Sequence, residues 1–155
     1  MDYLLLKYIH IISSTILFGT GIGSAFYMFM ANIRGDIEGM RFAVRHVVIA
    51  DWIFTTPAVI VQLLTGVAMT HMAGMSLAEG WILWALILYV FTGLCWLPVV
   101  WIQIKMRGMI RQAEQGDLPL TPHYWILNRW WIALGSLAFP AVMVIFYLMI
   151  FKPSL

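Results

Sequence analysis

The chain has 155 residues, of which 63% are hydrophobic and 10% charged, with a formal net charge of +2 and a mean hydropathy of +0.90. Soluble domains carry about 25% charged residues, so this composition excludes a water-soluble globular protein and makes the bilayer its solvent. The small net charge gives no basis for a nucleic-acid partner, and one cysteine, Cys95, set in an apolar run, excludes an intramolecular disulfide and a cysteine-based metal cluster.

Four apolar runs reach the twenty or so residues that a membrane crossing needs, at about 3–31, 44–70, 80–103 and 124–151. The expected fold is all-α, an integral membrane four-helix bundle forming a single transmembrane domain over residues 1–155. The first run is longer than the roughly 7–15 residues of a signal-peptide core and reads as a retained helix. Along it His10, Ser13, Ser14, Leu17, Gly21 and Ser24 make a small or polar stripe at three- and four-residue spacing. Gly19 and Gly23 form a small-xxx-small pair on nearly the opposite side, suited to a second helix contact or a homo-oligomer.

The second run carries His46 and His71, 25 positions apart. That is about 37 Å of helix against a hydrocarbon core of about 30 Å, so the two imidazoles are expected at opposite membrane faces. In a straight helix, 25 steps of about 100° also bring them to one side, with Pro57 the place where the helix would bend. Asp51, Thr55, Gln62 and Thr65 align on a different side. They read either as a proton or polar ligand path or, for Asp51, as an ion pair or hydrogen bond to a neighbouring helix, with Arg129 a candidate partner. In the third run Trp81 and Trp84 stand near one interface and Trp101 near the other, as in aromatic belts, and Pro98 is a kink site. The fourth begins after Thr121-Pro122-His123 and holds Asn128 and Arg129 about one turn in.

Arg34, Arg41 and Arg45 flank the first connection and Lys105, Arg107 and Arg111 open the third, while the second has no Lys or Arg. The positive-inside rule then puts both termini on the periplasmic side of a bacterial inner membrane, crossed several times by the chain. On this topology His10 and His71 lie near the outer face and His46 and His123 near the cytoplasmic one.

Imidazoles at membrane depth often mark cofactors, proton paths or ligands. A b-type haem needs one or two neutral imidazoles facing an apolar slot and cations for its propionates. His10 and His71 would be the axial ligands of an outer haem b, with Lys7 near its propionates. His46 and His123 would serve a second haem, with Arg45 and Arg129 in the cationic role. The resulting expectation is a haem protein with one or two bis-histidine sites, serving electron transfer or a haem-linked oxidation with a redox partner or quinone. If it is an enzyme, it is a haem-dependent membrane oxidoreductase. Two alternatives stay open: a non-enzymatic subunit or oligomeric scaffold whose histidines are interfacial, and a small ion- or copper-handling protein using Asp51 or the soft donors Met69, Met72, Met75 and His71. There is no phosphate loop, HExxH, CxxC or serine with a neighbouring base, which argues against a kinase or hydrolase.

The segments KYIHIISSTILFGTGIGSAF, TPAVIVQLLTGVAM, GWILWALILYVF and FPAVMVIFYLMIFKP resemble, in order, the helices of the HemJ-type protoporphyrinogen oxidases and the copper-resistance CopD proteins. More closely, the whole chain resembles the uncharacterised predicted bacterial integral membrane proteins that neighbour those families. The informative matches are Lys7-x-x-His10, the Thr-Pro-Ala before an apolar run ending in Gly66, and the terminal Lys152-Pro153. The resemblance implies a haem-binding bundle with His10 as axial ligand. The lysine and histidine of the oxidase's third helix have no counterparts in ILWAL and FTGLCWLP, so only His10 is carried over.

Overall fold

The computed structural model describes residues 2–116 and 119–154, and every regular element among them is helical. The elements are α1 (Tyr3–Arg34), α2 (Ile37–Ala50), a π-helical turn (Asp51–Thr55), α3 (Thr56–Met72), α4 (Gly80–Gly116) and α5 (Pro122–Phe151). Asp117 and Leu118, which fall in the third expected connection, and the two terminal residues lie outside the described set. Because α2, the π turn and α3 follow one another without a break, four helices among the described residues are long and apolar enough to cross a membrane: Tyr3–Arg34, Ile37–Met72, Gly80–Gly116 and Pro122–Phe151.

The helices outrun the apolar runs that announced them. α1 continues to Arg34 and α2 begins at Ile37, so the first connection shrinks to Gly35 and Asp36. Gly35 takes φ +69°, the left-handed conformation that glycine adopts without a Cβ penalty, and its N–H closes on the Ala31 carbonyl at 3.1 Å. The Asp36 carboxylate accepts the Gly39 N–H at 2.9 Å and caps α2. Similarly, α4 runs past Gln103 to Gly116, because Lys105, Met106, Arg107, Gln112 and Glu114 are good helix formers that lose nothing by staying helical outside an apolar layer. Asp36→Ala is expected to lower stability by about 1 kcal/mol through the lost cap, and Gly35→Val by about 1–2 kcal/mol through the positive φ. Denaturant unfolding in detergent would measure both.

The π turn has a local cause. Pro57 has no N–H and its ring crowds the carbonyl four residues back, so a regular α-turn cannot pass through it. The backbone widens instead: the Thr56 N–H reaches the Asp51 carbonyl five residues back, and the Thr56 hydroxyl donates to the same oxygen at 2.8 Å. One extra residue in the turn rotates everything beyond it by about 100° relative to a straight helix. The common side expected for His46 and His71 is therefore lost, and the cause is a π turn ahead of Pro57 rather than a simple bend.

Two compact units arise. The first is residues 1–75 with 110–118, where α1 packs on α2, the π turn and α3, and where Arg41 of α2 pairs with Glu114 in the last turns of α4. Its buried side chains include Met28, Met40, Val44, Val47, Val48 and Ile110. The second is residues 76–109 with 119–155, holding most of α4 and all of α5, with Ile82, Met106, Tyr124 and Leu127 buried. Lys152, in the left-handed region ahead of Pro153, ends α5 and holds its ammonium over the Trp81 ring at 5.6 Å. Large apolar side chains such as Tyr27, Phe42, Leu64 and Ile150 are exposed along the helices. A surface of this kind is unsuited to water and suits contact with acyl chains.

Candidate functional site

α1 and α3 meet through polar side chains, an arrangement that apolar surroundings enforce because each polar group must find its partner within the protein. His10 and Ser13 are one turn apart on α1; Gln62, Thr65 and Gly66 share a face of α3. The Gln62 amide nitrogen donates to the His10 carbonyl and to the Ser13 hydroxyl, the latter at 2.6 Å, and the Ser13 hydroxyl donates to the His10 carbonyl at 3.0 Å. Gln62 thus fastens α3 to the turn of α1 that carries the histidine.

The ring of His10 is fixed from two sides. Its Nδ1 lies 2.7 Å from the Thr65 hydroxyl. That hydroxyl lies 2.6 Å from the Val61 carbonyl, its back-bond within α3. A hydroxyl has a single hydrogen, and only donation to Val61 avoids two oxygens in contact with none between them. Nδ1–H must then donate to Thr65, which leaves the lone pair of the neutral imidazole on Nε2. On the other side Gly66 has no Cβ, and one built there would touch His10 Cε1 at 3.4 Å. That is ordinary contact, so Gly66→Ala should leave the ring in place. Gly66→Leu should drive it off Thr65, with the loss of a shifted Nδ1–H signal in the proton NMR spectrum as the readout.

The other sequence-derived candidates occupy different positions. Asp51, Thr55 and Thr65 are buried and Gln62 is half-buried, so the polar side of the second span faces the protein. His71 is exposed and lines an open apolar cleft of about 580 Å³ with Leu63, Leu64, Val67, Ala68 and Met72. It lies nine residues beyond Gln62, about 180° around the helix. The structure therefore does not bring His71 to His10, and the face of α3 that does reach His10 is the one carrying Gln62 and Thr65. His46 is exposed, with Nδ1 donating to the Phe42 carbonyl at 2.7 Å and its ring against that of Phe42 at 4.0 Å between centroids. Lys7 and Arg45 are exposed in the same unit as His10 and His46, while His123 and Arg129 are exposed in the second unit. Among the described residues no three His, Cys, Asp or Glu side chains gather as a metal-binding group.

Sequence reasoning recognised the stripe of His10 and Ser13 and the stripe of Gln62 and Thr65, but not that they face each other. The signal was present: two polar stripes on consecutive apolar helices joined by a tight turn have each other as the nearest partners.

No curated protein and no solved structure matches the sequence. The model of one family does, over residues 4–153, nearly the whole chain. The chain belongs to that family, the predicted integral membrane proteins designated DUF2269.

Proposed function

We propose that this integral membrane protein binds b-type haem, with His10 as an axial ligand. One observation carries the reading: Thr65 takes the Nδ1–H of His10, so a half-buried imidazole in a membrane span offers an Nε2 lone pair in a fixed orientation. Metal-ligating histidines ordinarily have their other nitrogen held this way, which fixes the tautomer and raises ligand basicity. The resemblance of Lys7-x-x-His10 to the first helix of the HemJ-type proteins favours the same position. Lys7, exposed one turn before His10, suits a propionate. A b haem supplies one-electron transfer when both axial positions are filled and substrate or gas chemistry when one is open. The corresponding roles are electron exchange with a redox partner or quinone, or a haem-dependent oxidation.

The proposal takes both termini as periplasmic in a bacterial inner membrane, as the arginines of the first connection and the basic start of the third imply. Single cysteines placed at Ser76 and at Gly35, in a Cys95→Ala background, should react with a membrane-impermeant maleimide in intact cells at the first position and not at the second.

The direct test is the optical spectrum of the detergent-purified chain, oxidised and dithionite-reduced, with a pyridine haemochrome count. A sharp Soret band with split visible bands on reduction supports the reading. One haem per chain fits His10 alone. A colourless, folded protein expressed with ample haem would overturn it in favour of a second reading, a helical subunit without cofactor. An added Cβ at Gly19 or Gly23 would meet nothing within 4 Å, so that face of α1 is open to another helix.

A further inference from the structure

Two lysine–tryptophan pairs bracket the second unit. At one end the Lys152 ammonium lies over the Trp81 ring at 5.6 Å, and at the other the Lys105 ammonium lies over the Trp101 ring at the same distance. Trp81 and Trp101 are 20 residues apart on α4, about 30 Å, which is the thickness of a hydrocarbon core. Tryptophan favours the edges of that core, so the two rings mark its boundaries. Between them Ile87, Val90, Leu94 and Leu97 form an outward stripe at three- and four-residue spacing that runs straight into Trp101 and Lys105. The apolar members of the stripe and Trp101 are 47–64% exposed, while Ile102 and Met106 are buried on the other side of the helix.

The two ends differ in charge. At the Trp81 end Lys152 is offset by Glu79, the one acidic side chain among the described residues of this unit. At the Trp101 end Lys105 and Arg107 stand about 6 and 9 Å beyond the ring along α4. Counting 20 residues back from Lys152 along α5 reaches Ile132, so Arg129 stands about 5 Å past the same boundary. All three cations are exposed and none makes an ion pair among the described residues, whereas Arg41 in the first unit has Glu114. Headgroups fill about 5–8 Å on each side of the hydrocarbon core, which is the depth of these side chains.

We propose that this end of α4 and α5 is a docking surface for anionic phospholipid, with acyl chains on the Val90, Leu94 and Leu97 stripe and headgroups at Lys105, Arg107 and Arg129. Charge complementarity selects the lipid: three cations without a carboxylate attract a headgroup of net negative charge, whereas a zwitterionic one brings its own cation and gains less. A free anion would be drawn by the same charges, but only a lipid also covers the apolar stripe that leads into them. The surface shares no group with His10, so its test is independent of haem.

The full chain is reconstituted in phosphatidylcholine vesicles containing a minor share of phosphatidylglycerol or phosphatidylcholine with brominated chains, and quenching of tryptophan fluorescence reports which lipid lies against the protein. A preference for phosphatidylglycerol of about five-fold or more is expected, the effect of a single cation near an anionic surface, and it should shrink in high salt. Replacing Lys105, Arg107 and Arg129 together by glutamine should bring the two lipids to parity. Equal quenching in the wild type overturns the proposal, as does a preference that survives in the triple variant. Should that variant fail to fold, melting of the wild type in detergent decides. Added phosphatidylglycerol must raise Tm more than the same amount of phosphatidylcholine. An equal rise overturns the proposal, and so does a rise matched by inorganic phosphate, which would mark a site for free anions.

Discussion

On the proposed haem reading, replacing His10 by alanine is expected to lower the haem-to-protein ratio of the purified chain by about ten-fold or more and to flatten the Soret band. The expectation follows from the ring's position. It is the imidazole whose Nδ1 is committed to Thr65, and no other residue in that cluster offers an sp² nitrogen lone pair. His71→Ala is expected to keep its haem, since His71 projects from the other side of α3. The pair of variants therefore separates the His10 site from the outer bis-histidine pair suggested by spacing alone. Loss in both would restore that pair, and retention in both would remove His10 from the chemistry. Far-ultraviolet circular dichroism and gel filtration in detergent distinguish loss of ligand from loss of fold.

Thr65→Val should act through the histidine without touching iron. Valine keeps the shape but can neither accept the Nδ1–H nor donate to Val61, so the ring is free to turn and to change tautomer. Loss of such a partner typically costs 10–100-fold in metal affinity, and a weakening of haem affinity of about that size is expected from haem titration of the apoprotein. The reduction potential should also move, because the hydrogen bond to Nδ1 sets how strongly Nε2 donates. Thr65→Ser, which keeps the hydroxyl, should restore both. A valine variant with wild-type affinity and potential would make Thr65 a packing residue only.

Much of the fold was legible because the bilayer imposes simple requirements. Four long apolar runs with few charges have little alternative to helices when every backbone group must be satisfied within its own segment, and four such helices are found among the described residues. Helix ends were less legible. The runs mark where side chains become polar, but α1 stops only where the backbone is turned, at Gly35, and α4 is still helical at Gly116, well beyond its apolar run. The π turn was hidden as well. Pro57 signalled a disturbance, yet a bend and a widened turn satisfy the missing N–H equally well on paper, and only the Thr56 bonds to the Asp51 carbonyl distinguish them.

What the sequence by itself determined is the class of the protein and the identity of its unusual groups: an apolar, four-span chain, a histidine at position 10 and a polar stripe from Asp51 to Thr65. Composition and helical period suffice for these, since each depends on residues within one segment. Only the tertiary structure decided which groups meet. Spacing along one helix paired His46 with His71 in azimuth, but a residue inserted at the π turn rotated them apart. His10 found Thr65 and Gln62 because α1 and α3 press their polar faces together in a medium that offers no other partner.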